Sequence, residues 1–373
     1  MRRKDRYQRA LIAVILGLAL AALGSSPGGL AGRPPIEGAG QVRWAAPETA
    51  PAAAAELPQR ETTRIGVLGI SSEVGFYLAH ERGYFAEQGL AADFERFEAP
   101  GAIIAPLSLG DLDAASIAVT AAMFNAVNRG VEVRLVSPQS RYEPGYSQLI
   151  LDVRKDLADG GAIRDYAELR GRTLAIINFG SPSELLLERA LQRGGLALSD
   201  ANVVQLGSGD QITAFANRGI DAGLLTEPQA TIAQDRGVAV KWRAAADWYP
   251  GIQVSTVMYG PNYVARNPDA GQRFLVAYLR GVRDYYNAVI ADRGGREGIV
   301  EVLMQHTPLR DRALYDRISW LYVDPNLTLL EDDLRTTMQW FLDRGLVDRP
   351  TELSQIYDGR FVQNALRVLG PYQ

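Results

Sequence analysis

The sequence predicts an α/β protein of two lobes, each a mostly parallel sheet flanked by helices, joined by a hinge and followed by a helical C-terminal tail. Three observations predict it. Short apolar runs alternate with helix-like segments between residues 64 and 259, the pattern of strands linked by crossover helices. The alternation comes in two blocks, with a polar loop near residues 137–147 between them. A chain of 373 residues with 47% hydrophobic content is long and apolar enough for two cores.

The elements follow in order. Residues 1–9 are basic and 10–23 are an uninterrupted apolar run. This arrangement predicts a secretory signal peptide cut near Gly24, or a membrane anchor, over residues 1–24. Residues 25–60, dense in Pro, Gly and Ala, predict a flexible tether. The body begins with a strand at 64–70, then a helix at 73–81 closed by Gly83, and an apolar alternation at 91–97. A helix is expected over 100–110 despite Pro106, then a strand at 114–119, a helix at 120–129 and strands at 131–136 and 148–153.

The second block repeats the order. A strand at 172–177 leads into a helix at 181–193 with Ser181 as cap, Pro182 first and Glu184 completing a capping box. Strands are expected at 203–206, 221–225 and 253–259. Helices are expected at 210–219, capped by Asp210, and from Thr226 to Arg236. From Asn267 onward the text is almost wholly helical. The expected partition is 61–149 and 258–373 for the first lobe and 150–257 for the second, with crossings near 147–152 and 253–259.

Composition removes several chemistries. There is no cysteine, so disulfides, thiolate nucleophiles and Cys-ligated metals are excluded. Two histidines, His80 and His306, leave no His-rich metal site, and three lysines leave little room for a Schiff base. The net charge of −4 argues against nucleic acid as a partner. No G-x-S-x-G, P-loop or H-E-x-x-H occurs. No catalytic constellation, metal site or cofactor is therefore expected.

Several segments resemble the substrate-binding proteins of ABC importers, in the nitrate/sulfonate/taurine group that includes binders of the thiamine pyrimidine precursor (SsuA/THI5-like). RIGVLGISSEVGFYLAHERGYFAEQGL at 64–90 is similar to that group's first strand, loop, helix and GYF turn. LSLGDLDAASIAVTAAM at 107–123 resembles its next strand and helix. LRGRTLAIINFGSPSELLLERALQRGGLALSDANVVQL at 169–206 and ITAFANRGIDAGLLTEP at 212–228 resemble its second-lobe run and its A-x-x-x-G-x-DA…EP signature. The resemblance implies a periplasmic binding protein of type II. Such a protein is exported, acts as a monomer, and captures a small polar or anionic organic solute for ABC permease and ATPase subunits. The group's fungal relatives rely on a cysteine-rich motif, so their enzymatic activity is not implied. The alternative is a membrane-tethered sensor or exported enzyme on the same fold.

Ligands of open parallel sheets bind beyond the carboxyl ends of strands, where helix amino termini converge. Four junctions fit: Ser71-Ser72-Glu73, Thr120-Ala121, Phe179-Gly180-Ser181 and Thr226-Glu227. Asn178 ends the strand before Gly180 and offers an amide. Each has a structural alternative, since Ser181, Thr120 and Thr226 also suit helix caps and Glu227 suits a helix start. Of Phe76 and Tyr77, one is expected in the core while the other stacks on a ligand; Phe76 is the candidate carried forward. Arg141 and Tyr146 lie in the polar loop next to the first crossing. Arg141 is the cation expected for a carboxylate or sulfonate.

Overall fold

The computed structural model describes residues 60–373; the expected signal peptide or anchor and nearly all of the expected tether lie outside the described residues. Ten strands among the described residues form two five-stranded sheets. The first contains β1 (Glu61–Val67), β2 (Leu90–Arg96), β3 (Ala114–Ala118), β4 (Arg134–Arg141) and β10 (Gln253–Tyr259), in the order β2-β1-β3-β10-β4. The second contains β5 (Leu149–Arg154), β6 (Thr173–Ile176), β7 (Asn202–Gln205), β8 (Ala222–Thr226) and β9 (Ala239–Ala244), in the order β7-β6-β8-β5-β9.

Each sheet is mixed for the same reason. β1 pairs in parallel with β2 and β3, whereas β10 runs antiparallel to both neighbours. β6 pairs in parallel with β7 and β8, whereas β5 runs antiparallel to both of its own. The reversed strand in each sheet is the one the chain enters from the other sheet. Residues 142–148 carry it from β4 into β5, and 245–252 carry it from β9 into β10. The two crossings are tied together, since Tyr142 N–H donates to the Ile252 carbonyl at 3.2 Å and Gly251 N–H to the Tyr142 carbonyl at 2.7 Å. The expected crossing segments, 147–152 and 253–259, correspond largely to the receiving strands. Residues 253–257 therefore pair with the first sheet and not with the block that precedes them.

The first strand ends at Val67, short of the expected residue 70, and four further differences from the sequence reading have a physical reason. β4 continues through Ser137-Pro138-Gln139-Ser140, text that reads as a loop. These polar residues are buried, with Ser116 Oγ donating to Gln139 Oε1 at 2.7 Å and Ser140 Oγ lying 2.6 Å from Ser255 Oγ, while Gln139 Nε2 has no partner among the described residues. Pro138 is tolerated because β4 is an edge strand. β9, an edge strand that includes Lys241 and Arg243, has no apolar run to announce it. The helix Ser208–Ala216 starts from Gly207, so Asp210 lies in its first turn and is not the cap. Thr226 ends β8, and the next helix begins only at Gln229.

The core has three parts. One cluster continues across both sheets, joining Ile117, Leu135, Leu151, Leu174 and Leu224 to Trp340 and Phe341. A second packs the helices Val74–Glu81 and Pro268–Tyr285 on the first sheet, through Phe76, Tyr77, Tyr259, Phe274 and Tyr278. A third, with Ile150, Ile212, Phe215 and Leu225, covers the second sheet. The helical C-terminal region is more than an appendage of the first sheet. Its helix Glu331–Asp343 packs on Ala121–Asn128 of one side and Pro182–Arg193 of the other.

Candidate functional site

Parallel strands end in loops that must point their backbone N–H groups somewhere, and here two such loops open on a shared cavity of about 670 Å³. Leu68–Ser72, after β1, form one wall, and Thr226–Gln229, after β8, form the opposite one with Ser208 and Gly209. Tyr142 and Gln148 of the first crossing form the floor between them, and Thr307–Leu309 with Tyr315, Ile318 and Leu321 close the remaining side.

The β1 loop is shaped by one carboxylate. Glu73 is fully buried and accepts from the backbone N–H groups of Leu68 (2.7 Å), Gly69 (2.9 Å) and Ile70 (2.9 Å) and from the Tyr77 hydroxyl (2.7 Å). Burial raises its pKa, and these four donors work against that rise. Burial, with Glu73 adjacent, drives the Tyr77 phenol upward as well. Held this way, the loop presents Ser71, whose hydroxyl donates to Gln148 Oε1 at 2.8 Å, and Ser72, whose buried hydroxyl has no partner among the described residues.

The opposite wall carries a neutralised charge. Glu227 Oε1 lies 2.6 Å from Lys241 Nζ, and Oε2 accepts from Thr231 N–H (3.1 Å) and the Thr231 hydroxyl (2.8 Å). One of the chain's three lysines is thus present beside the cleft, but it is committed to Glu227. Asp152 of β5, opposite Lys241 in register, is fully buried with both oxygens unpartnered among the described residues. Burial, reinforced by Glu227 and opposed by Lys241, pushes its pKa well above the usual carboxylate range.

Of the expected site residues, the cavity gathers Ser71, Ser72, Thr226 and Glu227. Phe76 is fully buried against Phe274 and Tyr278, so its ring belongs to the core, and Tyr77 beside it is buried too. Thr120 sits at the cap position of its helix without a side-chain capping bond, away from the cavity lining. Asn178, Gly180 and Ser181 form a self-satisfied turn. Ser181 Oγ donates to the Asn178 carbonyl at 2.7 Å and accepts from Ser183 N–H, while Gly180 N–H donates to Glu184 Oε2 at 2.7 Å. Glu184 thus serves the residue before the cap, in place of the expected capping box. Arg141 is paired with Glu143 (2.7 Å) and Asp324 (3.3 Å) and lies over the Tyr322 ring, so it is no free cation. Tyr146 packs beside Tyr322, and Tyr142 takes the place in the cavity wall.

Three contributors went unread in the sequence: Arg96, Gln148 and the segment Thr307–Leu321. Arg96 had a signal. It ends β2 opposite Val67, so it stands at the carboxyl edge where ligands bind. The distant segment had none, because only the tertiary fold brings residues after 306 to this cleft. Among the described residues no group of His, Asp or Glu is placed to hold a metal ion.

Residues 71–288, more than half of the chain, match the family model described as NMT1/THI5-like. The chain belongs to the NMT1/THI5-like family. Within that family's range of sequences, it is 26% identical over 213 residues to a protein of Brucella abortus named as a binding protein, covering 57% of this chain and 62% of the relative. The chain thus spans less than two thirds of that relative's length. It is 25% identical over 337 residues to the riboflavin-binding protein RibY of Chloroflexus aurantiacus, covering 85% and 90% of the two chains. Among solved structures, this NMT1/THI5-like chain superposes on the periplasmic aliphatic sulphonate-binding protein SsuA of Escherichia coli with a TM-score of 0.64 at 22% identity, over 79% of this chain and 91% of that one. It also superposes on the desulfurization enzyme DszB with a TM-score of 0.60 at 16% identity, over 83% and 100% of the chains. These likenesses establish the two-sheet fold of periplasmic binding proteins for the NMT1/THI5-like chain.

Proposed function

We propose that the protein is an extracytoplasmic solute-binding protein that captures a small organic solute between its two sheets and hands it to an ABC permease and its ATPase. The observation that carries this reading is a cavity walled by carboxyl-end loops of both sheets, with Tyr142 and Gln148 of the first crossing as its floor. A solute there touches both sides, so it favours whichever arrangement brings them together. The basic start and apolar run of residues 1–23 support export. The sulphonate and riboflavin named for the relatives indicate the chemical range to search.

Carriage without chemistry is the preferred reading although an enzyme shares the fold. The cavity lining offers hydroxyls, two amides and the Arg96 guanidinium, its one carboxylate is occupied by Lys241, and the chain has no cysteine. A nucleophile needs an adjacent base, and none lines the wall.

The test is a thermal-shift panel of sulfonates, aromatic acids, pyrimidines and flavins, with each compound recovered afterwards. A ligand at about 100 times its dissociation constant adds about 2.7 kcal/mol to the folded state. For a body of this size that is a rise of several degrees, at roughly 2–4 °C per kcal/mol. A shift with the compound returned unchanged supports a carrier. Conversion of the compound sinks this reading and favours an enzyme.

A further inference from the structure

We propose that Arg96 is the counter-ion of the bound solute, so that the solute is a ring-sized organic molecule bearing one anionic group. This deepens the solute-binding reading and rests on it.

Only two charged side chains line the cavity, Arg96 and Glu227. Glu227 is matched by Lys241 at 2.6 Å, so its charge is answered within the protein. Arg96 forms no ion pair among the described residues, and Arg141, the arginine expected for this role, is consumed by two carboxylates. The cavity therefore carries one unanswered positive charge, and a guanidinium in a partly apolar cleft recognises carboxylate or sulfonate through paired N–H donors.

The place of this guanidinium is built. Gly69 has φ +75°, and a β-carbon there would lie 2.7 Å from the Arg96 guanidinium carbon and 3.0 Å from its Nε and one Nη. The guanidinium thus lies against the glycine of the loop that Glu73 holds from behind. Any other residue at position 69 would push it away. Ser72 lines the same cavity, and its buried hydroxyl has no partner among the described residues.

The rest of the solute follows from the walls. Leu68, Tyr142, Val254, Leu309, Ile318 and Leu321 give an apolar body its contacts. A volume of about 670 Å³ falls in the range of organic ligand pockets, roughly 300–1,000 Å³. A bare inorganic anion would leave most of that surface uncovered.

The experiment uses calorimetry on wild type, Arg96→Gln and Arg96→Lys, with one- to three-ring carboxylates and sulfonates, each paired with its neutral amide, and nitrate alongside. Arg96 is exposed, so both variants are expected to fold, and the thermal midpoint without ligand verifies this. The expected result is that ring anions bind wild type and their amides do not. Arg96→Gln then weakens the anion by about ten-fold or more, Arg96→Lys by less, and rising salt weakens wild type most. If a ring anion binds Arg96→Gln as well as wild type, the assignment of Arg96 is overturned while the solute-binding reading stands. If amides bind as well as acids, or nitrate binds as well as any ring anion, the solute class is overturned and the solute-binding reading again stands. Absence of binding by every member overturns both.

Discussion

One buried carboxylate does more for the cleft than any residue lining it. Glu73 gathers three consecutive backbone N–H groups and a tyrosine hydroxyl, so the β1 loop keeps its shape without a solute. In Glu73→Gln one acceptor oxygen becomes an NH2 group that faces donors, leaving at least one buried N–H unsatisfied. The expected loss is about 1–3 kcal/mol in urea unfolding, with weaker solute binding although residue 73 does not line the cavity. Unchanged binding would show that the loop is shaped by its own backbone. Lys241 permits a parallel argument. Removing it in Lys241→Met strands the buried Glu227, at a cost of about 3–5 kcal/mol, whereas adding Glu227→Gln should restore much of the loss. A double variant no more stable than the single one would contradict this. These cases also show how far the sequence could be read. Ser71, Ser72, Thr226 and Glu227 were legible because strand ends predict them. Ser181 and Asn178 meet the same rule, yet their groups close a turn, and a cap looks the same in sequence whether or not a ligand is present.

Helix contacts set the rigidity on which the sites depend. Val74–Glu81 crosses Pro268–Tyr285 at a pair of glycines, Gly75 and Gly281, and a β-carbon on Gly281 would lie 2.3 Å from the Gly75 carbonyl oxygen and 2.9 Å from Ala79 N. Helix propensity alone favours alanine at such a position by about 1 kcal/mol. Gly281→Ala is nonetheless expected to destabilise by about 1–3 kcal/mol, because backbone has no rotamer with which to yield; a gain in denaturation midpoint would refute the tight crossing. Asp333 ties another element to the hinge. It lies in the first turn of Glu331–Asp343 and accepts from Gln253 N–H at 2.7 Å, where the second crossing enters β10. Burial raises its pKa to about 6, against the opposing pull of the Gln253 N–H and the Tyr249 hydroxyl. The folded chain then keeps this proton up to about pH 6, while the unfolded chain releases it near pH 4. Its contribution is therefore complete below about pH 4 and is lost as pH rises toward about 6. Asp333→Asn should remove that slope, which thermal melts at intervals between those values will reveal. The strands with apolar runs were legible. β9 and the second half of β4 were not, because edge strands carry the polar residues that read as loops.

At the scale of the whole molecule, two crossings make a hinge, but a third connection spans the cleft and no sequence pattern announces it. The segment Thr307–Leu321 hangs from the first side, where His306 Nε2 lies 2.7 Å from Glu81 and its ring stacks on Tyr77 at 4.5 Å. It is fastened to the second side by three contacts. Ser319 N–H donates to Glu227 Oε1 at 3.2 Å, Lys241 Nζ donates to the Arg317 carbonyl at 3.2 Å, and Arg317 Nη1 pairs with Asp235 at 2.5 Å. Because Leu309, Ile318 and Leu321 wall the cavity, a solute entering from that side must wait for these contacts to part. The Arg317–Asp235 pair is half exposed, so its worth is about 0–1 kcal/mol. Arg317→Gln should accordingly raise the association and dissociation rates together, by roughly two- to five-fold, and leave the dissociation constant nearly unchanged. Stopped-flow fluorescence with the solute from the panel separates the possibilities. Parallel acceleration marks the segment as a gate whose opening precedes exchange. Acceleration of dissociation alone would mean that Arg317 stabilises the occupied state, and unchanged rates would mean that the solute leaves by another side.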